Sequence, residues 1–245
     1  MYKQQKIAVV VPAYKEQKLI RETLSSIPEY VDKVYAVDDG SPDETLKIIQ
    51  KMAEKDSRII PIRHEKNGGV GAAIVTGYKK SIEDGMDVAV VMAGDNQMDP
   101  AHLPDLLAPI IEGRADFTKG NRLKKGYWKG MSKWRLLGNF LLTFLTKIAS
   151  GYWHISDPQN GYVAVSSSAL GRLLTLNLSE GYQFENDMMV KANVLNIRLV
   201  SVLIPARYNK EKSKIRYGRF IIYTSIFLLK SFLWRLWMKH FKRYM

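Results

Sequence analysis

Cysteine is absent from this chain of 245 residues. Its absence excludes disulfides, thiolate metal sites and cysteine nucleophiles, and it fits a reducing compartment. Histidine is scarce. His64, His102, His154 and His240 lack metal-ligand spacing and call for no functional explanation. The N-terminal MYKQQKIAVVVPAYKE is not expected to be a signal peptide, because its apolar run is short, contains a proline and lacks a small-residue cleavage site. Internal repeats and low-complexity tracts are also missing.

Negative charge is missing from long stretches. Residues 119–156 hold eight Lys/Arg and no Asp/Glu, and residues 207–245 hold eleven Lys/Arg against Glu211 alone. Of the net +13, these two segments carry +8 and +10, so the rest of the chain stands at −5. A uniformly basic protein would suggest nucleic acid. Here both basic segments are interleaved with long apolar runs, which points to an anionic membrane surface and away from nucleic acid. A hydrophobic fraction of 46% is ample for a packed core. The length suits one large α/β domain or two small ones.

The first hundred residues alternate strand and helix patterns. KIAVVVPAY (6–14), VYAVDDGS (34–41), RIIPIRH (58–64) and DVAVVMAGD (87–95) read as strands, the third at an edge because of its proline. Helical patterns lie between them, including one over 71–81. Asp43 stands at the N-cap position of the second helix, and Pro100 opens another. Such alternation predicts a doubly wound, mainly parallel sheet flanked by helices, with ligands at the carboxyl ends of its strands. Tyr14, Asp38, Asp39 and Asp95 all fall there. NGGVGAA (67–73) is not a full dinucleotide fingerprint and lacks a P-loop lysine. It reads as a tight loop feeding a helix N-terminus, either a plain turn or a support for a diphosphate.

The ordered set VVPAYKE (10–16), VDDGSPDET (37–45), NGGVGAA, AGDNQMDP (93–100), KGNR (119–122), SDPQNGYVAVS (156–166) and FENDMMVKA (184–192) spans about three quarters of the chain. It resembles the family 2 glycosyltransferases of the GT-A fold, nearest to dolichol-phosphate mannose synthase and related polyprenyl-phosphate glycosyltransferases. The resemblance implies donor-nucleotide contacts from Pro12, Ala13, Tyr14, Glu16, Asp38, Asp39, Gly68 and Gly71. It makes the acidic stretch a metal motif in which Asp95 and Gln97 match, while Ala93 stands where a first Asp is common. Mg²⁺ or Mn²⁺ needs only one or two protein oxygens when water and substrate phosphates complete its shell. A metal that binds together with the nucleotide-sugar is therefore expected. Asp99 is assigned to helix capping.

The resemblance further implies inversion at the sugar carbon, with Glu185 and Asp187 where related enzymes carry a catalytic or positioning acid. Acidic residues at an exposed helix start are the plain alternative. A phosphate monoester acceptor is already largely dianionic and needs no base, whereas a hydroxyl acceptor does. Arg207, Ser213 and Lys214 match a basic element near the acceptor and donor phosphates, and Arg122 and Arg135 are further phosphate candidates.

Residues 1–206 thus read as the catalytic unit, and 207–245 as a basic segment that associates with a membrane. Residues 131–150 form either a core helix or an interface helix. The run 220–238 approaches spanning length, but Lys230 lies at its centre and Arg235 near its end. A helix lying along the cytoplasmic face is expected; pairing with a second copy or a membrane partner is the other reading. Transfer to a hydroxyl on a glycan or glycolipid, and a non-catalytic adaptor with a decayed metal site, are the competing functions.

Overall fold

The computed structural model describes residues 1–123, 133–205 and 217–240. Seven strands form one sheet: β1 (Ile7–Ala13), β2 (Lys33–Asp38), β3 (Ile59–Arg63), β4 (Val88–Val91), β5 (Phe117–Asn121), β6 (Val163–Ser166) and β7 (Leu199–Leu203). Their order is β3-β2-β1-β4-β6-β5-β7. All neighbouring pairs are parallel except those of β6, which runs antiparallel to both β4 and β5. β3, with Pro61, is an edge strand as the sequence predicted.

The first strands are continuous apolar runs because both sheet faces are covered. Alternate residues of β1 enter opposite cores. Ala8 and Val10 join Val37, Tyr78 and Phe117 on one face, and Ile7, Val9 and Val11 join Ile20, Ile49 and Leu106 on the other.

The helices among the described residues are α1 (Ile20–Ser26), α2 (Thr45–Ala53), α3 (Val70–Glu83), α4 (Leu103–Ile111), α5 (Lys133–Ser150), α6 (Ser167–Leu174), α7 (Phe184–Val194) and α8 (Tyr217–His240). Asp43 accepts from the backbone N–H of Thr45 at 3.1 Å and from its hydroxyl at 2.6 Å, so it caps α2 from one residue beyond the formal boundary. Asp99 caps the 3₁₀ turn Pro100–His102 through the Ala101 N–H at 3.0 Å, as expected. Strands β2 and β4 end earlier than the sequence suggested. Asp39 and Asp95 therefore lie in the turns beyond the strands.

The C-terminal helix α8 packs on α5 and α7, with Leu228 meeting Ala149 and Val190. Arg235 donates to the carbonyls of Ala149 (2.7 Å) and Ile148 (3.1 Å), satisfying the C-terminal end of α5. Among the described residues no helix is long and apolar enough to cross a membrane.

Candidate active site

A cleft of about 700 Å³ opens at the carboxyl ends of β1, β2 and β4. Pro12, Ala13, Tyr14, Glu16, Asp39 and Asp95 line it together, and so do two residues that sequence reasoning missed, Gly181 and Tyr182. The turn after β1 is held open by cross-links to the next turn. Lys15 N–H donates to Ser41 Oγ at 3.0 Å, and Glu16 N–H to Thr45 Oγ1 at 2.9 Å.

The two adjacent carboxylates after β2 separate. Asp38 is fully buried; its Oδ2 accepts from Ser41 N–H at 3.3 Å, while Oδ1 has no hydrogen-bond partner. Asp39 braces the glycine loop. Its Oδ1 meets Gly68 N–H at 2.9 Å and His64 Nδ1 at 2.8 Å, and its Oδ2 accepts from Gly69 N–H at 2.8 Å. His64 Nε2 lies 2.9 Å from Thr76 Oγ1. The histidine that seemed to need no explanation therefore orients a carboxylate of the cleft. Gly68 and Gly71 direct their N–H groups to protein, since Gly71 N–H donates to the Glu180 carbonyl at 2.8 Å. At the start of α3 the Gly71 N–H is thus directed to a backbone carbonyl.

Asp95 is partly exposed, and its Oδ1 accepts from Gln97 N–H at 3.1 Å, closing a tight turn in which Asn96 has φ +57°. Gln97 is exposed. Ala93 N–H bonds the Met98 thioether at 3.2 Å, so the turn closes without an acid at 93. Among the described residues no cluster of three His, Cys, Asp or Glu stands ready as a metal cage. One or two oxygens from Asp95 and Gln97 fit an ion that draws its remaining ligands from water and phosphate, which suits Mg²⁺ or Mn²⁺.

A second charged group joins β5, the loop before β6, and α7. Lys119 is buried and donates to the Asn160 carbonyl. Burial lowers its pKa to about 8, opposed by the charges of Glu185 and Asp157. Burial raises the pKa of Glu185, opposed by Lys119 and Arg122. Gly161 lies beside this carboxylate, since a Cβ there would be in ordinary contact with Glu185 Oε1 at 3.4 Å. Arg122 is bound to Asp157. Asp187 is 5% exposed and paired with Lys191 at 2.6 Å. The plain alternative, an acid exposed at a helix start, does not describe this buried and paired carboxylate. Arg135 lies on α5; Arg207, Ser213 and Lys214 lie outside the described residues.

The model of a family described as Glycosyl transferase family 2 matches residues 8–174. The chain belongs to this family. The resemblance read from the ordered motifs is therefore shown, and so is the α/β fold expected from it. The family 2 chain is 32% identical over 212 residues to UDP-N-acetylglucosamine–dolichyl-phosphate N-acetylglucosaminyltransferase of Methanococcus voltae, covering 80% of this chain and 84% of that one. It is 29% identical to undecaprenyl-phosphate mannosyltransferase of Micrococcus luteus, over 81% and 82% of the two chains. It is likewise 29% identical to dolichol-phosphate mannosyltransferase of Pyrococcus furiosus, covering 84% of this chain but 54% of that one. Glucosyl-3-phosphoglycerate synthase of Mycobacterium tuberculosis, solved with Mn²⁺, UDP and phosphoglyceric acid, superposes with a TM-score of 0.67 at 18% identity, covering 95% of this chain and 78% of that one. That likeness is one of fold.

Proposed function

We propose that this family 2 chain is an inverting glycosyltransferase that moves a sugar from a nucleotide-diphosphate-sugar to a polyprenyl phosphate at the cytoplasmic face of a membrane. The observation that carries the reading is the joining of two features in one fold. A donor-sized cleft with a carboxylate at 95 shares one fold with helices α5 and α8, which turn large apolar side chains outward. The named activities of the relatives support it.

In this reading Tyr14, Glu16 and Asp39 receive the nucleotide. Asp95, with Gln97, would hold Mg²⁺ or Mn²⁺, which as a Lewis acid neutralises charge on the leaving diphosphate. Arg122 brings a guanidinium charge to the acceptor phosphate, aided by Arg135, Arg207, Ser213 and Lys214. Glu185 borders that side, and its burial disfavours a second negative charge beside an anionic acceptor. The phosphate acceptor supplies its own nucleophilic oxygen, so no side chain must remove a proton. The hydroxyl-acceptor alternative needs a base, and the ion pair of Asp187 with Lys191 counts against it.

The membrane reading rests on an inversion of ordinary packing. On α8 the buried positions include Thr224, Ser231 and Leu228, while Ile222, Ile226, Leu229, Leu233 and Trp237 are exposed. On α5 Thr143, Thr146 and Ser150 are buried together with Leu142 and Ala149, while Phe140, Leu141 and Phe144 are exposed. A water-facing helix has the opposite distribution. Small and hydroxyl residues between helices, with large apolar residues outside, suit lipid. Since no described helix can span, the pair would lie in the interface.

The test is thin-layer analysis of labelled lipid. Membranes containing the chain or its Asp95→Ala variant receive labelled UDP- or GDP-sugars, Mn²⁺ and polyprenyl phosphate. An Asp95-dependent, mild-acid-labile product is expected. An acid-stable product would move the acceptor to a hydroxyl, and no product with any donor would return the adaptor reading.

A further inference from the structure

The segment 177–182 is tied down on two sides and lines the cleft with its last residues. On one side stands α7. Asp187 Oδ2 accepts from Ser179 N–H at 2.7 Å and pairs with Lys191 Nζ at 2.6 Å, and Lys191 also donates to the Asn177 carbonyl. On the other side stands α3. The Glu180 carbonyl accepts from Gly71 N–H at 2.8 Å and Ala72 N–H at 3.3 Å. The approach is too close for side chains. A Cβ on Gly69 would fall 2.6 Å from the Glu180 oxygen, and one on Gly71 would fall 2.4 Å from the Ser179 oxygen. Gly69 also has φ +94°, where a side chain is strained. Gly69 and Gly71 of NGGVGAA are therefore needed to seat this segment. Gly181 and Tyr182, which follow directly, form part of the cleft wall.

We propose that Asp187 and Lys191 are positioning residues of the donor site: they clamp Asn177–Glu180 against the start of α3 and thereby set the Gly181–Tyr182 wall. In this role Asp187 exchanges no proton with the acceptor. The proposal rests on reading the cleft as the nucleotide-sugar site. It makes the first turn of α7 a support for donor binding through the segment 177–180.

The experiment titrates UDP and GDP with Mn²⁺ into the full chain and its variants without acceptor, alongside amide hydrogen exchange and turnover kinetics. Asp187→Ala is expected to weaken binding of the nucleotide about tenfold and raise the donor KM similarly, with little change in kcat. Exchange at Ser179, Gly71 and Ala72 should quicken. Asp187→Asn keeps an oxygen for the Ser179 N–H and should stay within about threefold of the parent, with the pH profile of kcat unchanged in shape. If Asp187→Ala does not fold, Gly71→Ala displaces the same segment from the other side, and the same tenfold weakening is expected.

Unchanged nucleotide affinity in these variants overturns the positioning role alone. A drop in kcat of about a hundredfold or more in Asp187→Asn, at constant donor KM, is the signature of a base and also overturns it. Binding of neither nucleotide by the unaltered chain overturns the donor reading, and the positioning role with it.

Discussion

Arg122 forks onto Asp157. Nε lies 2.8 Å from Oδ2 and Nη2 lies 3.1 Å from Oδ1, while the backbone N–H of Arg122 adds a third bond to Oδ2 at 3.0 Å. The carboxylate is only 1% exposed. The arginine expected to grip a phosphate is thus held in one orientation by a buried acid of the SDPQNGY motif.

Removing Arg122 strands that acid. Arg122→Ala is expected to cost about 3–5 kcal/mol, read as a lower urea midpoint at constant m. Arg122→Lys keeps the charge but loses the fork, so it should recover part of the stability and less of the acceptor affinity. A loss below about 1 kcal/mol in Arg122→Ala would show that the pair contributes no more than an exposed one.

Lys119 makes the stability depend on pH. Burial depresses its folded pKa to about 8 from the usual 10.5. The unfolded chain therefore holds more protons between these values. The stabilising contribution is present above the unfolded pKa and is lost as pH falls through about 8. The stability of the parent relative to Lys119→Met should thus rise by on the order of 2 kcal/mol between about pH 7.5 and about pH 9.5. A difference that stays flat across this window would remove the buried charge as its cause. Tyrosine titration, common to both chains, cancels in the comparison.

Asp95 brings a carboxylate to the cleft. Asp95→Asn should lower transfer by at least about a hundredfold, and Gln97→Ala by roughly tenfold. Mn²⁺ should bind tightly to the parent only when UDP or GDP is present, because the protein supplies so few ligands. Tight Mn²⁺ binding by the parent without nucleotide would point to a fuller cage than Asp95 and Gln97 make.

The outward stripe of α8 offers a separate test. Leu229 and Leu233 are 61% and 57% exposed. The double variant Leu229→Asp, Leu233→Asp should fold with a stability change within about 1 kcal/mol, since neither side chain is in the core. Its sedimentation with anionic vesicles should fall sharply. Undiminished vesicle binding would assign the stripe to something other than lipid. A dimer of the parent in solution that this variant abolishes would assign it to a second copy.

Much of the frame could be read along the chain. Strands such as IAVVVPA are apolar throughout because the sheet is covered on both faces, so short runs between helical patterns marked them. Asp43 and Asp99 were legible as caps because a cap bonds a neighbour two residues away. The antiparallel direction of β6 was not legible. VAVS looks the same in either direction, and only its pairing with Val88–Val91 and Phe117–Lys119 distinguishes them.

The candidate site divides in the same way. The sequence by itself determined that carboxylates and a tyrosine would gather at the carboxyl ends of the first strands, because βα alternation brings every such end to one edge. It also determined that residues 207–245 would be basic and apolar. Only the tertiary structure decided what those groups do. Asp39 turns to His64 and the glycine loop, Asp187 to Lys191 and Ser179, and Arg235 to the end of α5. Gly71 N–H donates to the carbonyl of Glu180, far along the chain. Periodicity and capping are local, so residue order encodes them directly. The partner of a buried polar group is set by register, helix packing and loop path together, and these exist only once the chain has closed on itself.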